Sequence, residues 1–178
     1  MKIREARPAD AKQIARVMVD TWRTTYRGIV ADSFLQSLCY EERETRWLEL
    51  LRGIEGMRYT YVAEGASGSI VGYISGGKER TGDLNFSGEL YAIYIDPSFQ
   101  GRGLGRLLVA AFAERLLSAG LNEMLVWVIA ANSSRHFYER LGGHYLRAQP
   151  LDIGDESIET VAYGWTDLHM LQKKRTIA

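Results

Sequence analysis

Apolar positions along the chain change their period several times, and each change marks an element. The first residues, around "KIRE", suggest a short strand. Pro8 suits the first turn of a helix, and Ile14, Val17, Met18 and Trp22 then recur at helical spacing. A helix with one buried stripe is therefore predicted from Pro8 to about Tyr26, with Asp10 near its positive end. A second helical region follows Asp32, carrying Phe34, Leu35 and Leu38 and, after a break near Cys39 to Glu41, Trp47, Leu48 and Leu51. The period changes at "RYTYVAE", which alternates like a strand. "GASGS" reads as a turn and "IVGYISG" as the returning strand, so Arg58 to Gly76 is a predicted antiparallel hairpin. "KERTGDLNFSG" is a loop, and "ELYAIYI" is apolar on both faces after Glu89, as in a central strand covered on both sides. A helix follows with Leu104, Leu107, Leu108, Ala111 and Phe112 on its apolar side, ending at Gly120. "MLVWVIA" is another buried strand and "NSSRHFYERLGG" a short helix. "HYLRAQ" and "ETVAYGW" read as two last strands around the turn-rich "PLDIGDES".

A strand–helix–strand unit from Glu89 to Ala131 places its two strands in parallel through a right-handed crossover. Combined with the antiparallel hairpin, this predicts a mixed sheet in an α/β (α+β) layer fold. The absence of repeats and long charge runs predicts one domain over residues 1–178. Composition agrees: 46% hydrophobic and 25% charged residues suit a chain that buries an ordinary core. The 22 basic and 22 acidic side chains cancel, which argues against nucleic acid or a membrane as a partner held by bulk charge. The single cysteine, Cys39, excludes an internal disulfide framework, fits a cytoplasmic setting and reads as a packed small hydrophobe. No apolar run approaches the length of a membrane span, and His136 and His144 have no metal-ligand spacing, so no metal is expected.

The stretch Gln100-Gly101-Arg102-Gly103-Leu104-Gly105 lies between a buried strand and a helix. First-turn N–H groups have no intrahelical partner, the helix dipole adds partial positive charge, and glycines let a ligand approach the backbone. Such a loop can seat an anion. It is not a P-loop, because no Lys-Ser/Thr pair follows. Nor is it a dinucleotide fingerprint, because Arg106 stands where the third glycine belongs. On these residues alone, an ordinary strand–helix turn with packing glycines is the plain alternative.

"YIDPSFQGRGLGRLL" resembles the acyl-CoA-binding signature of the GNAT superfamily, the Gcn5-related N-acetyltransferases, whose pattern [Q/R]-x-x-G-x-[G/A] is met by Gln100, Gly103 and Gly105. "LYAIYIDP" resembles the family's cofactor strand, and "NSSRHFYERLGG" its second motif, with Asn132 and Tyr138. "RPADAKQIARV", "TWRTTYRGIV" and "YGW" are also similar, so the resemblance extends over nearly the whole chain. Gly143 departs from it, since an aromatic after "LG" is commoner. The resemblance implies a mixed, mostly antiparallel sheet of about six or seven strands flanked by helices, with its parallel central strands splayed apart.

By the same resemblance, the chain would use acetyl-CoA to acetylate a primary amine of a small molecule or peptide by direct transfer in a ternary complex. Backbone N–H groups of Gly101, Arg102, Gly103, Leu104, Gly105 and Arg106 would hold the pyrophosphate, with the two arginine side chains either assisting or solvated. The backbones of Ile93, Tyr94 and Ile95 would pair with the pantetheine arm, and an N–H near Ile93 or Tyr94 would meet the thioester carbonyl. Asn132 would bond the pantetheine amides and also cap the following helix. Tyr138 would protonate the leaving thiolate. Glu89 has two level readings, a general base like that of histone acetyltransferases or a strand-entry acid that faces water or pairs with a surface cation. Period-2 alternation puts it on one face with Tyr91 and Ile93. Trp22, Tyr26 and Tyr91 are candidate walls of the amine pocket, although a core stripe explains Trp22 equally well. A non-catalytic acyl-CoA-sensing module is the rival reading, disfavoured by the presence of Tyr138 and Glu89. Dimers are common in the superfamily, so a homodimer stays open.

Overall fold

The computed structural model describes residues 1–53, 57–83 and 85–172. Its strands are β1 (Lys2–Glu5), β2 (Arg58–Glu64), β3 (Ile70–Lys78), β4 (Gly88–Ile95), β5 (Met124–Ile129), β6 (His144–Ile153) and β7 (Glu156–Trp165). They form one seven-stranded sheet in the order β1-β2-β3-β4-β5-β7-β6. The helices are α1 (Ala11–Thr25), α2 (Asp32–Ser37), α3 (Tyr40–Arg52), α4 (Leu104–Ser118), α5 (Arg135–Arg140) and α6 (His169–Gln172). Only β4 and β5 pair in parallel, as the intervening helix α4 requires.

Each face of the sheet is covered by the helix stripes legible in the sequence. On one face Leu104, Leu108, Phe112 and Leu116 of α4 pack with Ile74, Leu90 and Val126. On the other, Ile14 and Val17 of α1 and Trp47 of α3 pack with Val62, Ile70 and Tyr73. Fully burying one such aliphatic side chain is worth about 1.5–3 kcal/mol, so these stripes hold the helices more firmly than helix propensity does. A further cluster joins Val19, Tyr26, Leu35 and Ile129 to Ile153 near the tip of the β6–β7 hairpin.

Two local arrangements shape the centre of the sheet. First, β4 and β5 pair only at Gly88–Met124, Glu89–Leu125 and Leu90–Val126, beyond which they part. Second, a β-bulge interrupts the β3–β4 ladder: Leu90 opposes Gly76 and Ala92 opposes Ser75, leaving Tyr91 as the extra residue. Gly76 is required there, because a Cβ would come within 2.3 Å of Glu89 O and 2.4 Å of Phe112 Cζ.

The bulge corrects the expected alternation. Glu89 and Tyr91 both contact Arg80, whereas Ile93 packs in the α4 cluster on the opposite face. Period 2 fails at Tyr91 because the extra residue shifts the phase of everything after it. The "PLDIGDES" stretch is also mostly strand rather than loop: β6 and β7 run to a tight turn at Gly154 and Asp155, with Ile153 opposite Glu156. Pro150 is tolerated because β6 is the edge of the sheet. Cys39 is half-buried ahead of α3, with Sγ 3.0 Å from Glu41 Oε2, rather than packed among hydrophobes. Leu84, in the predicted loop before β4, lies outside the described residues, as do residues 173–178.

Asp10 ends a 3₁₀ turn (Pro8–Asp10) ahead of α1 and is buried. Its carboxylate accepts from Arg4 at 2.8 and 2.9 Å and from the Arg7 backbone N–H at 2.7 Å. The Arg4 guanidinium, the largest influence, holds this carboxyl below its usual range despite burial. A depressed folded pKa stabilises the fold above the ordinary carboxylate range, and that contribution is lost as pH falls through the folded value. Asp10→Asn should therefore lower Tm at neutral pH, with the gap from wild type narrowing in acid; an equal gap at both would refute this role. Gly76→Ala should cost about 2 kcal/mol or more through overpacking, roughly 4–8 °C in Tm by thermal denaturation, because the backbone of β4 cannot move aside.

Candidate active site

Where β4 and β5 part, the sheet opens into a cavity of about 870 Å³. Its lining draws on both faces of the sheet: Ile93, Leu104 and Tyr138 from the α4 side, and Trp22, Tyr26 and Tyr94 from the α1 side. It is therefore a passage through the sheet rather than a surface dimple.

The edge of β4 along this passage is chemically unfinished. Asp96 N–H donates to Val71 O on β3 at 2.9 Å, and Tyr94 stands opposite Tyr73 on that same strand. By the antiparallel alternation, the amides of Tyr94 and Asp96 turn toward β3, while those of Ile93 and Ile95 turn toward the gap. Gln100 Nε2 already donates to Ile95 O at 2.8 Å, tying the loop to the strand's end.

The glycine loop offers a second set of unpaired N–H groups, separated from the first by the bonded amides of Asp96, Ser98, Phe99 and Gln100. The first backbone bond of α4 runs from Leu107 N–H to Gly103 O at 3.3 Å, so the N–H groups from Gly101 to Arg106 precede it. Gly101 and Gly103 have φ of 73° and 77°, a left-handed conformation that other residues adopt only with strain, and a Cβ on either would meet nothing within 4 Å. Open space beside bare N–H groups at a helix start suits a phosphate ester. Gly105 serves packing instead, since its Cβ would lie 3.1 Å from the Phe137 ring on α5. Arg106 lines the cavity, whereas the Arg102 guanidinium stands 5.5 Å from the centre of the Phe99 ring.

Asn132 is buried, and its Oδ1 accepts from Ser134 N–H at 2.9 Å in an Asx turn ahead of α5, whose N-cap is Ser134 and has no side-chain cap, so the expected capping by Asn132 is not made. That helix places Tyr138 against Phe137, Tyr163 and Trp165, with ring centroids 5.4, 6.4 and 6.3 Å away. The Tyr138 hydroxyl makes no hydrogen bond to another described residue. Burial, with a smaller contribution from Tyr26, pushes this phenol far up, so it is protonated throughout the physiological range. The departure at Gly143 has a steric cause, because a Cβ there would approach Trp165 to 2.7 Å.

On the α1 side, the Trp22 and Tyr26 rings pack at a tilt of 48° with centroids 4.5 Å apart, and Trp22 Nε1 donates to Tyr94 Oη at 2.9 Å. Burial raises the phenols of Tyr26 and Tyr94, so both are neutral. Glu89 is 3% exposed and paired with Arg80, at 2.6 Å from Nη2 to Oε1 and 3.1 Å from Nε to Oε2; the Arg80 backbone N–H adds a bond at 3.1 Å. Tyr91 packs its ring 3.6 Å from the Arg80 guanidinium and donates its hydroxyl to Lys78 O at 2.5 Å.

Of the candidate catalytic and binding residues, all but Arg102 line this one cavity. Arg80, Thr21, Trp127 and Gln149 line it too and went unrecognised. Arg80 sits in a loop without period, and nothing in its local pattern signals the pairing with Glu89. Among the described residues, no group of three His, Cys, Asp or Glu side chains could hold a metal ion, and no helix is long and apolar enough to cross a membrane.

Comparison with known proteins agrees with this geometry. The FR47-like protein family model matches residues 83–150, which contain β4, the glycine loop, α4, β5 and α5. An uncharacterized N-acetyltransferase of Bacillus subtilis, YuaI, is 39% identical over 170 residues, 96% of this chain and 95% of that protein. The L-amino acid N-acyltransferase MnaT of Escherichia coli is 28% identical over 174 residues, 97% of this chain and 92% of that protein. The fold matches that of the PaiA N-acetyltransferase of Thermoplasma acidophilum, solved in complex with coenzyme A, with a TM-score of 0.65 at 19% identity, covering 89% of this chain and 96% of that one. The chain is an N-acetyltransferase of the GNAT superfamily, whose members take their acetyl group from acetyl-CoA.

Proposed function

We propose that this chain moves an acetyl group from acetyl-CoA directly to a primary amine of a small molecule or peptide, with both substrates held in the passage between β4 and β5. The observation that carries the reading is that two sets of unpaired backbone N–H groups, at Ile93 and Ile95 on the open edge of β4 and at Gly101–Arg106 ahead of α4, meet Tyr138 in one cavity. Backbone donors meet a polyanion without net charge on the protein, which suits a chain whose basic and acidic residues cancel. In this reading the pantetheine arm takes the place of the missing β5 neighbour, and the carboxamide of Asn132 adds a side-chain contact. The Ile93 N–H is better turned than that of Tyr94 to meet a thioester carbonyl, because Tyr94 faces β3.

Tyr138 supplies the proton to the departing sulfur: a neutral phenol without a protein partner keeps that proton at the site until the thiolate forms, and the phenolate left behind regains a proton from solvent. Glu89 is the sole carboxylate among the described residues lining the cavity, and both its oxygens are bonded to Arg80. We assign it the attraction and orientation of the acceptor ammonium, with the amine's proton leaving to solvent through the open mouth. Trp22, Tyr26 and Tyr91 wall the acceptor side. The described residues belong to one transferase domain in this reading.

Calorimetry should detect CoA and acetyl-CoA binding, and no binding at millimolar ligand would overturn the proposal. Tyr138→Phe should lower kcat by about a hundred-fold while leaving CoA affinity nearly unchanged. An undiminished kcat would remove the acid role. Gly105→Val should weaken CoA binding by displacing Phe137 and the start of α4, a change that titration of the variant against CoA would read directly.

A further inference from the structure

The acceptor half of the cavity has a charge balance that few amines match. Among the described residues its ionic groups are Arg80 and Glu89, which neutralise each other; Arg106 and Arg140, the remaining ionic residues of the described lining, stand by the glycine loop and on α5. A polyamine or aminoglycoside brings several ammonium groups into low dielectric and needs several carboxylates to meet them. A zwitterion brings one charge of each sign and needs one of each.

Arg80 is built to meet an anion. Its side chain is 52% exposed, whereas that of Glu89 is 3% exposed. Nε and Nη2 are committed to Glu89, while Nη1 makes no hydrogen bond to another described residue. The Tyr91 ring at 3.6 Å fixes the guanidinium, and Arg58, 4.6 Å from the same ring centre, adds positive potential. Of the nearby acids, Glu79 acts on Arg80 through space without bonding it, and its oxygens and those of Asp83 are bonded elsewhere. Glu79 accepts from the backbone of Thr81, Gly82 and Asp83, and Asp83 pairs with Arg147 at 2.5 Å. Trp127 Nε1, a group that can only donate, also lines the cavity with no partner among the described residues. Glu89 stands opposite Leu125, one pair before the last β4–β5 pair, and both Glu89 and Arg80 line the cavity that opens there.

We propose that Arg80 anchors the carboxylate of the acceptor, and that the acceptor is an α-amino acid rather than a polycationic or simple alkyl amine. This rests on the acetyltransferase reading of the same cavity. Thiol release from acetyl-CoA is measured with L-leucine, 3-methylbutan-1-amine, L-phenylalanine, 2-phenylethylamine and spermidine. The amino acids should exceed their decarboxylated partners in kcat/KM by about ten-fold to a hundred-fold, the worth of one charged hydrogen-bonded contact. In Arg80→Gln that preference should collapse, mainly through KM, and Arg80→Lys should restore part of it. A purely structural role for Arg80 would instead lower both members of each pair equally. Binding of L-leucine to the CoA-saturated protein, followed by calorimetry, gives the same comparison without turnover. If CoA binds but spermidine or the decarboxylated amines are preferred, or the preference survives Arg80→Gln, the proposal is wrong while the transferase reading stands. Failure of CoA itself to bind would overturn both.

Discussion

A β-strand buried along one edge without a neighbour leaves peptide groups that must find partners, and most of this molecule is arranged around one such strand. Beyond Leu90 and Val126 the parallel pair β4–β5 opens, and the inward-turned amides of Ile93 and Ile95 face a cavity. An unmade backbone hydrogen bond away from water is costly, so the gap favours a ligand with its own amides. The bulge at Tyr91 reinforces the opening: it twists β4 and changes which side chains face α1 and which face α4. Gly76 makes room for that distortion from the neighbouring strand.

The cavity divides by chemistry as well as by face. Its α4 side offers bare N–H groups, a helix start and a neutral phenol, all suited to a polyanionic donor and a departing thiolate. Its α1 side offers aromatic walls and one closed ion pair. Burial keeps Tyr26, Tyr94 and Tyr138 as neutral hydrogen-bond donors, so these phenols cannot take the amine's proton. Glu89 is the one acid among the described residues of the lining, and Arg80 orients it through bonds to both its oxygens. The acceptor half thereby presents a matched pair of charges in place of a single negative site.

Local sequence patterns fixed much of this in advance. The amphipathic stripes of α1 and α4 and the Arg58–Gly76 hairpin follow from periodicity, because the burial that stabilises each element is written at 3.6 or 2 residues per repeat. The glycine loop was legible as an anion seat for the same reason: positive φ and an unpartnered helix start depend on residues adjacent in sequence. "PLDIGDES" misled, since Pro150 and Gly154 signal turns while the tolerance of an edge strand for proline depends on a neighbour far along the chain. Alternation failed at Tyr91 because the bulge is set by Gly76 on β3.

The sequence by itself determined most of the elements and their order, since each depends on short-range spacing, and its motifs carried the resemblance to the family. Tertiary structure decided how far β4 and β5 part, which of the Ile93–Ile95 amides face the gap, and that Arg80 closes on Glu89. Those features arise from packing between residues whose sequence neighbours carry no trace of it. They are also the features that bear on the acceptor, because a pocket's charge balance is a property of the side chains that meet there and not of any one segment.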